Sequence, residues 1–421
     1  MIAYVALWIF IFALPWENSI VVAGVGTISR LMGMLALGFA VLAAVMTGRL
    51  RSWRLFHVVA LLFVVWSGWS MYRQEIYLLG DSMATISKFR TYLQLFLVLW
   101  MIWELAPSLH RLHGLMLAYV LGSIVASVNT LLVFRAQAAV LSRFAAAGFD
   151  PNDLAMTLAL ALPMAWYLGL SYPHVLVRWV CRGYIPLGLL AIGLTGSRGG
   201  LVASVVALLV IPFTFSKLSS AKIVAVCVLL AASGGLGIAF IPTTTLQRLG
   251  TTSTEAGVGT LNGRLLIWKA GVEALARRPV IGYGTGGFER AVRPFLGHGR
   301  APHNSYLGVL VEQGVLGFIL FALMFIAVIR QNLALPRLER RFAQVLLATL
   351  CVAMLPLTWD DRKPVWFILA LLAALGEAFS ASRAGQLPVN PPPPVPHARV
   401  RLGLRGDPLY GRLARPPQAD A

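Results

Sequence analysis

Three side chains far apart in the chain, Arg198, Arg264 and His303, are of the types needed to hold an anion and move a proton. Arg198 lies in Thr195-Gly196-Ser197-Arg198-Gly199-Gly200, a break of a few residues between two apolar runs. The glycines let the backbone turn sharply and leave no side chains over the start of the following helix. Amides at a helix start together with one guanidinium make an anion site suited to phosphate. The plainer reading is an interfacial anchor that reaches for lipid headgroups. Arg264 follows Asn262-Gly263, and Asn262 is an N-cap by type. Beyond it Leu265, Trp268, Val272 and Leu275 recur on one helical face, and Lys269, Glu273 and Arg277 on another. That pattern predicts a helix in the membrane interface, apolar side down, with Glu273 and Arg277 in the favourable i,i+4 order. His303 stands between Pro302 and Asn304, the expected cap of the next apolar span. Two nearby arginines disfavour imidazolium, so the ring is expected to be neutral at physiological pH. A neutral imidazole beside an anion site is a suitable general base for a hydroxyl.

The remaining polar residues of note fit structural roles. Glu312 is an acid inside an apolar span, and a buried partner accounts for it most simply. Asp150-Pro151-Asn152 reads as an N-cap with proline in the first turn. Asp360 and Asp361 are adjacent, so they point apart and make a poor acid/base couple, though either could touch a polar substrate. The run from Gly282 to Phe288 is Gly-rich but follows no strand, which argues against a nucleotide-binding turn.

The elements that must position these residues are membrane spans. The 421-residue chain is 58% hydrophobic and 12% charged, about half the charge of a soluble domain. Apolar runs fall near 2–14, 30–46, 55–71, 89–105, 114–134, 153–172, 184–196, 200–215, 223–241, 304–329, 342–358 and 365–380. They predict an all-α polytopic membrane protein with about twelve transmembrane helices. The net charge of +19 is read as loop and tail arginine, not as a nucleic-acid surface. Arg49, Arg51, Arg54, Arg111, Arg178, Arg182, Lys217, Lys222, Arg330, Arg337, Arg340 and Arg341 alternate onto one side through short loops, which places both termini in the cytoplasm. The long 242–303 loop then lies outside. On this plan Arg198, Arg264, His303, Asp81, Asp150 and Asp360 share the extracytoplasmic face. Residues 1–380 form the membrane domain. Residues 381–421 are a Pro/Arg-rich tail, expected to be disordered, whose arginines meet anionic lipid headgroups. Cys181, Cys227 and Cys351 have neither metal-site nor disulfide spacing.

These motifs resemble the O-antigen ligase and O-antigen polymerase superfamily. The resemblance rests on Thr195 to Gly200, Gly263-Arg264 with Trp268, Pro279 with Gly282-Tyr283-Gly284 and Phe288, His303-Asn304-Ser305-Tyr306-Leu307, and Glu312-Gln313-Gly314, with Pro151-Asn152 ahead of them. It implies a metal-independent, cofactor-free, inverting glycosyltransferase of the bacterial inner membrane with its active site facing the periplasm. The donor would be an undecaprenyl-diphosphate-linked glycan. The acceptor would be lipid A-core for a ligase, or a second lipid-linked glycan for a polymerase. Arg198 and Arg264 would hold the diphosphate and His303 would serve the acceptor hydroxyl, with Asn304, Tyr306, Glu312 and Asn152 in support. A secondary transporter is the rival class; it predicts matched halves and broken midplane helices, and the sequence has no internal repeat. A purely structural role in a polysaccharide assembly complex predicts that all three residues can be replaced with little effect.

Overall fold

The computed structural model describes residues 1–77, 82–138, 140–217, 219–221, 223–224, 227–228 and 263–383. Several expectations fall outside these residues: Asp81, the ninth apolar run apart from a few positions, the loop up to Asn262, and the tail from residue 384.

The protein is all-α. Among the described residues the helices are α1 (Ile2–Ala13), α2 (Ile28–Thr47), α3 (Leu55–Tyr77), α4 (Ser82–Leu105), α5 (Leu109–Gln137), α6 (Pro151–Ser171), α7 (Val175–Leu194), α8 (Arg198–Leu208), α9 (Arg264–Arg277), α10 (Phe288–Leu296), α11 (Ser305–Leu333), α12 (Arg337–Ala353) and α13 (Lys363–Arg383). A two-residue antiparallel ladder, Val21–Val22 against Gly26–Thr27, links α1 to α2. Eight of these elements are long and apolar enough to cross a membrane: α1 with its following turn, α2, α3, α5, α6, α7, α11 and α13. The runs at 89–105, 200–215 and 342–358 also form helices, but each falls short of that standard. α4 carries Lys88 and Arg90, α8 has 11 residues, and α12 opens on Arg337, Arg340 and Arg341. At 1.5 Å per residue, α8 spans roughly 16 Å, about half of a hydrocarbon core.

α6 lies at the centre. Every residue from Leu154 to Gly169 is buried, as expected of a helix that is apolar on all sides. It packs against α5, α7, α8 and α12, while α13 packs against α4, α5 and α11. The alternation of loops is reproduced in space. Ser19 donates to the Ala147 carbonyl at 3.1 Å, the Phe144 amide to Leu194 at 3.0 Å, and the Ser305 amide to Met354 at 3.0 Å. These bonds gather the loops after α1, α5, α7 and α12 and the segment before α11 at one end of the bundle. At the opposite end the Tyr4 hydroxyl donates to the Arg111 carbonyl at 2.7 Å, Arg54 pairs with Glu377, and Arg341 lies over the Phe213 ring.

α11 is a broken helix. At Gly314 the backbone turns to φ 68° and ψ −173° inside an otherwise continuous span. A break in the membrane must find new partners for the freed amides and carbonyls. The Gly-rich segment after α9 supplies them: the Tyr283 amide donates to Val311 at 3.0 Å and Gly284 to Glu312 at 2.7 Å, while Val315 donates to Pro279 at 2.8 Å. A Cβ at position 314 would collide with the Val280 carbonyl. Gly314→Ala is therefore expected to undock this loop and lower both thermal stability and activity. The cost exceeds the roughly 1 kcal/mol of an ordinary Gly→Ala strain; melting in detergent with a parallel transfer assay measures it.

Candidate functional site

The first turns of α6 form the hub of the site. Asp150 caps the helix, its carboxylate accepting from the Asn152 amide at 2.8 Å and the Asp153 amide at 3.3 Å, with Pro151 in the first turn. The start of α8 leans on this turn: side chains added at Gly199 or Gly200 would run into Met156 and Ala155. Ser197 caps α8 by accepting from the Gly200 amide at 3.2 Å, which leaves Arg198, half-buried, as its first residue. Asn152 accepts from Arg143 at 2.7 Å, and Arg143 also donates to the Thr195 carbonyl at 2.8 Å, so one arginine ties the α6 start to the turn before Arg198. Sequence reasoning does not reach Arg143. Its only signal is a basic residue on the less basic side of the alternation. Asp153 accepts from the Trp359 indole at 3.0 Å and faces Arg362 at 3.7 Å.

Arg264 opens α9, and the described N-cap position there is Gly263. Ile267, Ala270, Gly271 and Ala274 are buried on α9, and Ile267, Ala270 and Ala274, together with Phe288, Ala291, Val292 and Val311, build a small second core. Trp268 and Leu275 lean on that core, whereas Leu265, Leu266 and Val272 are exposed. Arg277 does not pair with Glu273 but lies over the Phe295 ring, 4.4 Å from its centroid. The apolar stripe expected at the membrane surface is thus divided between protein packing and exposure.

His303 is exposed and is the one described non-glycine residue with positive φ, at 45°. Its neighbours fix this turn. The Trp268 indole donates to the Pro302 carbonyl at 3.0 Å, and Asn304 caps α11 by accepting from the Leu307 amide at 3.0 Å. Ser305 donates to the Leu357 carbonyl at 2.7 Å and accepts from the Trp359 amide at 2.8 Å. The Tyr306 hydroxyl donates to the Cys351 carbonyl at 2.9 Å. Asn304, Tyr306 and Asn152 therefore have their side chains engaged in holding the loops.

The electrostatics join Arg264, His303 and the α6 start. Burial, then Arg264, then Arg300 hold the imidazole below its ordinary value, against the opposing pull of Asp150 and Asp153. Arg264 is itself lowered by partial burial, with Asp150 countering. His303 is accordingly neutral at pH 7 and takes up a proton only in acid. If it acts as a base, kcat/KM is flat above neutrality and falls only below pH 6.5. Arg264→Gln removes a cation that discourages imidazolium, so the acid limb moves to higher pH; a pH–rate series on both proteins reads the shift.

Glu312 lies elsewhere, in a buried ionic network. Its carboxylate accepts from Lys88 at 2.8 Å and from the Gly286 amide at 2.9 Å. Lys88 also pairs with Asp360 at 2.9 Å, and the Tyr92 hydroxyl donates to the same Asp360 oxygen. Asp361, Lys88 and Glu312 border an open cavity of about 410 Å³ that also reaches Pro302. Among the described residues, no three His, Cys, Asp or Glu side chains gather in a way that could hold a metal ion.

Residues 184–322, from within α7 to the middle of α11, match the family model described as O-antigen ligase. About a third of the chain is thus similar to the O-antigen ligase family. The matched stretch contains Arg198, Arg264, His303, Asn304, Tyr306 and Glu312, while Arg143, Asn152 and the Asp360 loop lie outside it. No curated protein matches the chain. The family match and the apolar helices support a multi-pass membrane protein similar to O-antigen ligases and polymerases.

Proposed function

We propose that this protein moves a glycan from undecaprenyl diphosphate to an acceptor hydroxyl, most simply on lipid A-core, at the periplasmic face of the bacterial inner membrane. Both termini then lie in the cytoplasm, and the arginines at the Arg54–Arg111 end of the bundle face the cytoplasm. The observation that carries the reading is the gathering of two kinds of group at the start of α6: the Arg198 helix start and Arg264 on the cationic side, and a neutral His303 beside them.

In this reading His303 accepts the proton of the acceptor hydroxyl as its oxygen attacks the anomeric carbon. The bond from that carbon to the diphosphate oxygen breaks, and its electron pair leaves with the diphosphate. Attack opposite the leaving group inverts the anomeric centre. Arg198, Arg264 and the amides of the α8 start meet the charge that builds on the departing phosphate, the kind of fixed electrostatic stabilisation that dominates such steps. Asn152, Asn304 and Tyr306 act by positioning. Membrane lipids complete the environment, and no cofactor or nucleic acid enters the scheme.

Reconstitution with a labelled lipid-linked donor tests it. Arg198→Lys and Arg264→Lys keep the charge but lose the planar fork, and each is expected to reduce kcat/KM by about 10²-fold or more, the range seen when one stabilising donor is removed. Wild-type rates in both would remove the diphosphate assignment. The 242–303 loop, though the longest between apolar runs here, is short against the larger folded loops common among ligases; it offers less protein to recognise a bulky acceptor and favours a second reading, a polymerase with another lipid-linked glycan as acceptor. Deletion separates the two: loss of all lipid A-core-linked glycan marks a ligase, and retention of single repeat units marks a polymerase.

A further inference from the structure

The cavity bordered by Ala301 and Pro302, the residues before His303, carries a charge pattern opposite to that of the arginine side. Its wall includes three carboxylates, Glu289, Glu312 and Asp361, against two cations, Lys88 and Arg290. Lys88 is held between Glu312 and Asp360, so its charge is already balanced by acids. Hydroxyls complete the wall: Thr91 and Thr358 line it, and the Thr358 Oγ1 is buried without a hydrogen-bond partner. At about 410 Å³ the cavity matches the size of small-molecule sites and has room for one or two sugar rings. Carboxylates and hydroxyls suit the donors of a sugar, and a net acidic wall repels an anion. Pro302, which closes one side, is the residue before His303 and is fixed through its carbonyl by Trp268.

We infer that this cavity is the acceptor subsite, and that it takes a terminal sugar that is neutral or carries an amine and rejects an anionic sugar such as a uronic acid. The inference rests on the transferase reading above and adds the acceptor's place and charge. Asp361 and Glu289 are the specificity-determining groups, because both carboxylates border the cavity and neither makes a direct ion pair with Lys88, whose partners are Glu312 and Asp360.

The full chain in proteoliposomes, with labelled lipid-linked donor and host membrane lipids as the acceptor source, provides the test. Asp361→Asn and Glu289→Gln are each expected to raise the acceptor KM about tenfold, the weight of one hydrogen bond to a charged group, with the donor KM within twofold of wild type. Methyl glucosaminide is expected to inhibit at lower concentration than methyl glucuronide. An unchanged acceptor KM in both variants, a shift confined to the donor, or a glucuronide as effective as the glucosaminide overturns the assignment. Should Asp361→Asn fail to insert, Glu289→Gln and the inhibitor pair decide the matter without it. The failures are distinguishable: full activity in a His303 variant breaks the transferase reading, whereas an inactive His303 variant with an unmoved acceptor KM breaks only the cavity assignment.

Discussion

His303→Asn is expected to lower glycan transfer by about 10²–10⁴-fold, the usual weight of a positioned general base, with little change in melting temperature. Asparagine is the informative replacement because it tolerates positive φ better than most residues, and position 303 sits at φ 45°. Alanine would add backbone strain to the loss of the base. The side chain is exposed and lies outside both apolar cores, so the variant should insert and fold normally. Transfer at the wild-type rate from a normally inserted His303→Asn protein would remove the base from the mechanism. The surviving alternatives would then be transport or a structural role.

The second large effect concerns stability. Lys88 is the shared cation of Glu312 and Asp360, and the side chains are 10%, 4% and 0% exposed. Removing the partner of buried charges typically costs about 3–5 kcal/mol, because the remaining ions stay desolvated. Lys88→Met leaves two carboxylates facing each other, so its melting temperature in detergent should fall steeply. Neutralising the carboxylates as well, in Lys88→Met/Glu312→Gln/Asp360→Asn, should recover most of that loss, since well-packed neutral groups often match a buried ion network in stability. A Lys88→Met protein as stable as wild type would show that water reaches the network; a triple variant no better than the single would show that the ions hold the fold by more than charge balance.

The sequence shows some parts of this arrangement and hides others, for physical reasons. Arg198, Arg264 and His303 stand out because a charged or titratable residue in a loop of an apolar chain is either an interfacial anchor or part of a polar site. Asp150, Ser197 and Asn304 follow from local rules, since a cap bonds to its own helix two or three residues on. Lys88 is different. Its partner Glu312 lies 224 residues away, and at the edge of the run at 89–105 it looks like an ordinary interfacial lysine. The break at Gly314 is hidden for a related reason. Glu312-Gln313-Gly314 sits in an apolar run that reads as one helix, and the Gly-rich segment that satisfies the break is separate in the chain. Arg143 escapes notice because its ties, to Asn152 and to the Thr195 carbonyl, depend on α6 and α8 starting side by side. Counting apolar runs predicts about twelve crossings, whereas eight of the described helices are long and apolar enough to cross; the count does not reveal that α8 is too short to cross alone or that α12 begins in arginine.

The central claim is that Arg198 and Arg264 hold a lipid diphosphate with His303 on the acceptor side. A cryo-electron microscopy structure of the full chain with undecaprenyl diphosphate tests it most directly. The account predicts phosphate oxygens at charge-assisted hydrogen-bond distance, about 2.7–2.9 Å, from both guanidiniums, with the His303 ring facing the gap between the phosphates and the Asp361 cavity. A diphosphate bound elsewhere on the bundle, with both arginines still turned to protein groups, would contradict it.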